Sequence, residues 1–290
     1  MITVENVTKS YNKKAQALKG VSFEIPTGVY GLIGRNGAGK TTLLKIMATV
    51  MKASSGQICM NGTPIDKQLK EYRSILGYLP QNTKLMPQLN IVEFLEYMCI
   101  IKGITDKNEI KIEVERCLAI AGLQNERKKL LARYSGGMLR RAGIAQALLG
   151  NPEILIIDEP TTGLDPEERL YFLNLVSQIG KDRHVILSTH IIHDVENLCP
   201  NVCVLESGNI MYAGPVDDMV AGIKDKVWEC EIEIGEEAAI KEKATVTNVT
   251  YTYGKPTVRY ISEASVREGS YKVEGTLEDA YIASVGGVHR

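Results

Sequence analysis

Apolar and polar positions follow two alternating patterns along most of this chain. Short apolar runs rich in valine and isoleucine are separated by longer amphipathic stretches, as is typical of an α/β domain with a mostly parallel sheet. The apolar runs predict strands at Ile2–Val7, Val21–Ile25, Val29–Ile33, Ile75–Leu79, Ile154–Asp158, His184–Ser188 and Val202–Glu206. The amphipathic stretches predict helices at Lys40–Thr49, Ile91–Ile101, Lys107–Ala121, Gly137–Leu149, Pro166–Gln178 and Ile192–Asn197.

Residues 82–150 hold three of these helices and no convincing strand, so we expect a helical subdomain inserted between strands of the sheet. In its first helix, Phe94, Leu95, Met98 and Ile101 recur at helical spacing. That spacing favours packing into the core over a docking surface for a partner.

The pattern changes near Gly222. Apolar residues then recur at every second position, first at Trp228, Cys230, Ile232 and Ile234 and again at Val249, Tyr251 and Tyr253. A third strand is expected at Thr257–Ile261, and Thr276 with Asp279 forms a T-x-x-D signal for the start of a last helix. We therefore predict a large domain at residues 1–222 and a small α+β accessory domain at residues 223–290.

Composition narrows the functional classes. The formal net charge of −1 gives no electrostatic reason to expect a nucleic-acid partner, so we predict none. The N-terminus lacks a signal-peptide pattern and no apolar run approaches the ~18 residues that span a bilayer, so we expect a cytoplasmic protein. One basic cluster is expected to be a solvated face, with contact to anionic lipid headgroups as the less favoured alternative. It consists of Arg127, Lys128, Lys129, Arg133, Arg140 and Arg141.

Residues 34–41 read GRNGAGKT and fit the pattern G-x-x-x-x-G-K-[ST], between a predicted strand and a predicted helix. Glycines let main-chain N–H groups curl around phosphate oxygens, and the helix N-terminus adds a favourable dipole. We expect Lys40 to neutralise the terminal phosphates of ATP and the Thr41 hydroxyl to bind Mg²⁺. The residues predicted to bind nucleotide here are Gly34, Arg35, Asn36, Gly37, Ala38, Gly39, Lys40, Thr41 and Thr42.

Two carboxylates lie at the end of the apolar strand Ile154–Asp158: Asp158 is its last residue and Glu159 follows directly. A buried strand of this kind would deliver Asp158 beside the phosphate loop, where it can hold Mg²⁺ directly or through water. Glu159 would then polarise the water that attacks the terminal phosphate, which is a general-base role.

Further motifs follow in the order found in the ATP-binding subunits of ABC (ATP-binding cassette) transporters, which residues 2–220 closely resemble. They are Tyr11, Tyr78-Leu79-Pro80-Gln81, Tyr134-Ser135-Gly136-Gly137-Met138, Gly163-Leu164-Asp165 and His190. The resemblance implies a P-loop ATPase core with a mostly parallel sheet, an antiparallel N-terminal β subdomain and a helical insertion.

The resemblance also implies a role for each motif. Gln81 would contact Mg²⁺ and the attacking water, His190 would contact the γ-phosphate, and Tyr11 would stack on adenine. The signature residues Ser135, Gly136 and Gly137 would close over ATP bound to the opposite subunit. Each residue also has a structural explanation: Gln81 as a turn residue, Ser135 as a helix cap, Tyr11 as core.

Position 138 carries Met where many members of the family carry Gln. Main-chain contacts of the Ser135-Gly136-Gly137 core should survive this change, whereas contacts of a Gln side chain would be missing. Met138 and the closing segment Gly275–Tyr281 resemble exporter cassettes whose membrane subunit is a separate chain.

The resemblance therefore implies a transport ATPase that uses ATP and Mg²⁺, pairs with a second ATP-binding subunit and drives a separate transmembrane permease. The pair could be a homodimer or a heterodimer. One alternative is a non-transport ABC ATPase acting on ribosomes or DNA, against which the single cassette without a heptad run argues. The other is a nucleotide-dependent regulator without turnover, which the presence of Glu159 and His190 disfavours.

Overall fold

The protein is described by a computed structural model that covers residues 1–12 and 15–286. Its strands are β1 (Ile2–Asn12), β2 (Ala15–Ile25), β3 (Gly28–Ile33), β4 (Ser55–Met60), β5 (Thr63–Pro64), β6 (Leu76–Leu79), β7 (Ile154–Asp158), β8 (His184–Thr189), β9 (Asn201–Glu206), β10 (Asn209–Pro215), β11 (Val227–Glu231), β12 (Thr245–Thr252), β13 (Lys255–Ile261) and β14 (Tyr271–Lys272). Its α-helices are α1 (Lys40–Met47), α2 (Leu69–Ser74), α3 (Ile91–Ile101), α4 (Lys107–Ile120), α5 (Gly136–Ala147), α6 (Pro166–Ile179), α7 (Ile192–Glu196), α8 (Val216–Ala221), α9 (Glu237–Lys241) and α10 (Leu277–Gly286). None of the helices in this part of the chain is both long enough and apolar enough to cross a bilayer.

The N-terminal strands form an antiparallel sheet in the order β2-β1-β4-β5. Strand β1 lies in the middle, with Ile2 opposite Ile25 on one side and Met60 on the other. This sheet confirms the antiparallel N-terminal subdomain that the family resemblance implied. The apolar pattern alone gave no strand for β4, because only Ile58 and Cys59 are buried within it.

The central sheet has the order β10-β9-β3-β8-β7-β6, and its strands are parallel except for the antiparallel edge strand β10. This confirms the mostly parallel sheet. The parallel register aligns Ile33 with Thr189, Asp158 with Ser188 and Leu79 with Ile157. The carboxyl ends of β3, β6, β7 and β8 therefore lie along one edge, where ligand sites of open α/β sheets form.

The helices α3, α4 and α5 lie between β6 and β7 in the chain, as the helical insertion requires. Each is capped at its N-terminus by a polar side chain that accepts main-chain N–H groups: Asn90, Asp106 and Ser135 respectively. The expectation of core packing holds for Phe94 and Leu95, which are buried, but is wrong for Ile101, which is 59% exposed. Ile101 is the last residue of this helix.

The last strands form a separate antiparallel sheet in the order β12-β13-β11-β14, with a small core of its own that includes Cys230, Val258 and Tyr260. Helix α10 begins one residue after Thr276, as the capping signal indicated. It packs against the apolar cluster of the large domain through Leu277, Ala280, Tyr281 and Val285. The proposed domain boundary at residue 222 therefore separates two sheets that are bridged by α10.

A buried carboxylate fixes α10 to the C-terminal sheet. Asp279 is 1% exposed and accepts hydrogen bonds from Arg259 Nη2 at 2.7 Å, from Thr247 Oγ1 at 2.6 Å and from Thr276 N at 2.9 Å. Burial raises the pKa of Asp279, but the hydrogen bonds from Arg259, Thr247 and Thr276 outweigh it and hold the pKa below its ordinary value. The stabilisation is complete above the ordinary carboxyl pKa and is lost as the pH falls through the lowered value.

We expect Asp279→Asn to lower the free energy of unfolding at pH 7 by about 2–3 kcal/mol, because it weakens hydrogen bonds to a charged, buried group. The difference from wild type should shrink as the pH falls towards the carboxyl range. Urea titrations at several pH values measure both effects. Glu263→Gln is the control: Glu263 pairs with Lys226 at 2.8 Å but is 82% exposed, so we expect a change below about 0.5 kcal/mol.

Candidate functional site

The phosphate-binding loop occupies the turn between β3 and α1, and two of its glycines are required by close packing. A Cβ on Gly34 would lie 2.2 Å from the carbonyl oxygen of Leu205, and one on Gly39 would lie 2.6 Å from that of Ala17. Gly39 also has φ +113°, a conformation that side chains disfavour. These close approaches place the loop against the neighbouring strands β9 and β2, directly before the start of α1.

Lys40 is the first residue of α1, yet its side chain folds back across the loop. Its Nζ donates to the Gly34 carbonyl at 2.7 Å and lies 3.1 Å from Glu159 Oε1. The side chains of Lys40 and Glu159 are only 5% and 4% exposed. The pair is therefore a buried ion pair whose charges are balanced within the protein.

Asp158 ends β7 and is fully buried beside the loop. Its Oδ1 accepts hydrogen bonds from Ser188 Oγ at 2.7 Å and from Thr41 Oγ1 at 3.2 Å. Within the described residues, Oδ2 is buried and has no hydrogen-bond donor. An unsatisfied carboxylate oxygen next to a threonine hydroxyl is an arrangement that a cation can complete.

Glu159 has a left-handed backbone, with φ +49°, which is rare for a residue with a side chain. Its N–H donates to Ser188 at two acceptors, the carbonyl at 3.2 Å and Oγ at 3.0 Å, and these bonds hold the conformation. The turn directs the carboxylate back towards Lys40. Glu159 Oε2 is then reached by His190 Nδ1 at 2.6 Å and by Thr162 Oγ1 at 3.0 Å.

The electrostatics of Glu159 follow from these partners. Burial raises the pKa of its carboxyl group, but the positive charge of Lys40 and the hydrogen bonds from Lys40, His190 and Thr162 outweigh burial and leave the pKa below its ordinary value. Glu159 is therefore a carboxylate at neutral pH.

A cavity of about 410 Å³ opens above this cluster. Its walls bring together residues that are far apart in sequence: Tyr11, Ala17, Arg35, Asn36, Gly37, Gly39, Lys40, Thr41, Thr42, Gln81 and Glu159. Tyr11 lies at its mouth, 56% exposed, with its hydroxyl 3.0 Å from Thr42 Oγ1. Arg35 lies close to Tyr281 of α10.

The signature residues Ser135, Gly136 and Gly137 do not line this cavity. Ser135 caps α5, accepting from Met138 N at 3.2 Å, and Gly136 is exposed. Asp165 similarly caps α6, whose first residue is Pro166. One chain thus collects the phosphate loop, Asp158, Glu159, His190 and Gln81, and leaves the signature residues elsewhere on its surface.

Three residues that contribute to the site were not predicted from any sequence motif. Ser188 supports both Asp158 and Glu159, and Thr162 donates to Glu159. Arg140 donates to the carbonyl oxygens of Gln81 at 2.8 Å, of Pro80 at 3.3 Å and of Glu159 at 3.4 Å. The expectation of a solvated face is therefore wrong for Arg140. Ser188 could have been predicted from the sequence, because it lies at the end of a predicted strand.

Gly34→Ala should weaken ATP binding at least about 10-fold, or ~1.4 kcal/mol, because the added methyl group meets a main-chain oxygen that cannot move aside. Calorimetric titration with ATP measures the affinity, and thermal unfolding checks the fold. Gly136→Ala is a steric control, since a Cβ there meets no heavy atom of the described residues within 4 Å. Unchanged ATP affinity in Gly34→Ala would contradict the close packing of the loop.

Comparison with known proteins agrees with this geometry. The family model described as "ABC transporter" matches residues 18–162, half of the chain. The uncharacterized ABC transporter ATP-binding protein YxlF of Bacillus subtilis (strain 168) is 33% identical over 252 residues, which cover 87% of this chain and 83% of that relative. The Nod factor export ATP-binding protein I of Burkholderia thailandensis is 35% identical over 215 residues, which cover 73% of this chain and 70% of that relative.

Among solved structures, the dimeric post-hydrolysis state of the ATP-binding cassette MJ0796, bound to ADP and Pi, superposes with a TM-score of 0.67 at 27% identity. The match covers 74% of this chain and 98% of that one. Together with the phosphate loop and the carboxylates at the end of β7, these similarities show that this chain belongs to the ABC transporter family, as an ATP-binding subunit.

Proposed function

We propose that this chain hydrolyses ATP to ADP and phosphate with Mg²⁺, and that hydrolysis powers transport through a separate membrane permease. The observation that carries the proposal is the cluster at the carboxyl edge of the sheet. There Glu159 contacts both Lys40 and His190, and Asp158 lies against Thr41. Phosphate binding, cation binding and activation of water each have a candidate group within this cluster.

Mg²⁺ fits the residues present. Asp158 Oδ2 is buried without a donor, and the Thr41 hydroxyl lies beside the other oxygen of the same carboxylate. Both are hard oxygen ligands of the kind Mg²⁺ prefers, and Gln81 adds an amide oxygen at the cavity wall. When bound, Mg²⁺ neutralises charge that develops on the phosphates of ATP.

The Lys40–Glu159 ion pair gives ATP binding a direct effect on the base. The Lys40 ammonium lowers the pKa of Glu159 and so weakens this carboxylate as a base. A terminal phosphate that draws the Lys40 ammonium towards itself removes that stabilisation, and the pKa of Glu159 rises. Glu159 then accepts a proton from water more readily, while His190 and Thr162 keep its carboxylate oriented.

A second subunit is part of the proposal, because the signature residues do not reach this chain's own cavity. Gly136 is exposed at the start of α5, where a main-chain N–H group can serve a phosphate bound to another copy or to a similar subunit. Ser135 would add its hydroxyl. The dimeric arrangement of MJ0796 supports this head-to-tail pairing.

The membrane partner is proposed to dock on the helical subdomain. Helix α3 buries Phe94 and Leu95 but exposes Tyr97, Ile100 and Ile101 at 44%, 57% and 59%. An apolar face of this kind suits a protein contact. The chain would then work at the cytoplasmic face of the membrane, and the named export role of the Burkholderia relative supports outward transport.

Glu159→Gln should lower kcat for ATP hydrolysis by about 10²–10⁴-fold, because the amide cannot accept the proton of the attacking water. ATP affinity should be retained, and the variant should accumulate as an ATP-bound dimer. Phosphate release and size-exclusion chromatography with Mg-ATP measure the two effects. The control is Glu153→Gln, an exposed carboxylate at the opposite end of the same strand. A wild-type kcat in Glu159→Gln would remove Glu159 from the base role.

Gly136→Ala tests the second subunit. Since the methyl group meets no described heavy atom within 4 Å, thermal stability and ATP affinity of the single chain should stay at wild-type values. The same methyl group would crowd a phosphate presented by a partner, so we expect at least about a 10-fold loss of ATPase activity and loss of the ATP-dependent dimer. Full activity in this variant would argue against signature-to-phosphate contact.

A further inference from the structure

Arg140 is a half-buried cation whose partners set it apart from the rest of the basic cluster. Three of the other five members pair with carboxylates: Arg127 with Glu115, Lys129 with Glu126 and Arg141 with Glu168. Within the described residues Arg140 forms no ion pair of this kind. Its hydrogen bonds all go to main-chain carbonyl oxygens, those of Pro80, Gln81 and Glu159.

These three carbonyls belong to two separate segments of the site. Pro80 and Gln81 follow β6, whereas Glu159 follows β7, and the Arg140 side chain comes from a third element, α5. The two amino groups of one guanidinium divide between them: Nη1 binds the Gln81 loop and Nη2 binds Glu159. A planar group with several donors in a fixed fork can hold two acceptors at a set separation, which a lysine cannot do.

The acceptors are also the groups whose position matters most for hydrolysis. Gln81 lines the cavity, and Glu159 keeps an unusual backbone with φ +49°. A hydrogen bond to the carbonyl of Glu159 restrains the peptide that follows this residue, while Ser188 restrains the peptide that precedes it. Both sides of the strained residue are therefore held.

We propose that Arg140 is a positioning residue, which holds the Gln81 loop and the Glu159 carboxylate in register and links both to the helix that begins at the signature motif. The inference rests on the proposed function. The hydrogen bonds of Arg140 all go to main-chain atoms, so its role is to fix geometry and not to transfer a proton. Helix α5 begins at Gly136, and Arg140 lies little more than one turn further along it. A shift of the N-terminus of α5 therefore also moves the Arg140 contacts with Gln81 and Glu159.

The test compares Arg140→Gln, Arg140→Lys and Arg116→Gln. Arg116 is the matched control: it lies in the same helical subdomain and also binds a main-chain carbonyl, that of Leu148 at 2.7 Å, besides pairing with Glu113. Neither of those partners lines the cavity. Loss of Arg116 should therefore reduce stability without disturbing the site.

For Arg140→Gln we expect kcat to fall at least about 10-fold while the affinity for ATP changes less than about threefold, because misplacement of reacting groups is costly and nucleotide contacts remain. Arg140→Lys should fall between wild type and Arg140→Gln, since one ammonium cannot hold both segments. Arg116→Gln should keep a kcat within about twofold of wild type, even if its melting temperature falls by as much as that of Arg140→Gln. An equal loss of kcat in Arg116→Gln and Arg140→Gln at equal loss of stability would overturn the proposal.

Hydrogen exchange of the nucleotide-free proteins gives a second readout. In Arg140→Gln the amides after Gln81 and after Glu159 should exchange faster than in wild type, and in Arg116→Gln they should not. Unchanged exchange at both segments in Arg140→Gln would also overturn the proposal. This measurement needs no turnover, so it judges Arg140 separately from the proposed function, which fails if wild-type protein releases no phosphate from Mg-ATP.

Discussion

The parallel register of β3, β8, β7 and β6 is the constraint on which the site depends. Neighbouring strands lie about 4.8 Å apart, so residues that follow aligned strand ends come within reach of one another. Ile33 precedes the phosphate loop, Asp158 precedes Glu159 and Thr189 precedes His190, and all three lie at the same edge. A shift of one residue in any of these strands would turn the functional side chain to the other face of the sheet.

Charge balance stabilises the buried ions of this site. Burying Lys40 or Glu159 alone would be unfavourable, whereas together the two ions are satisfied. Lys40 also donates to the Gly34 carbonyl, and Glu159 also accepts from His190 and Thr162. In the proposed mechanism the negative charge of ATP competes for Lys40, so the same ion pair makes Glu159 a weaker base until ATP binds.

Elements outside the sheet edge reach the site through a few polar contacts. Helix α5 contacts it through Arg140, and Tyr281 of α10 lies close to Arg35 of the phosphate loop. Helix α10 is in turn fixed to the C-terminal sheet by Asp279 and Arg259. A continuous set of packed and hydrogen-bonded groups therefore joins the small C-terminal sheet to the nucleotide cavity.

The sequence by itself determined the local features of this protein. The apolar run of β7 and the capped, amphipathic α3 have the predicted bounds at both ends, because burial and capping act over a few neighbouring residues. The phosphate loop is equally local, since its glycines and Lys40 are contiguous. Strand β4 was missed because its SGQICM sequence buries too few apolar residues to give a pattern.

Tertiary structure alone decided the role of Arg140, Ser188 and Tyr281. Their partners lie 19 to 60 residues away for Arg140 and about 30 away for Ser188, and no periodicity along the chain encodes a contact made by folding distant segments together.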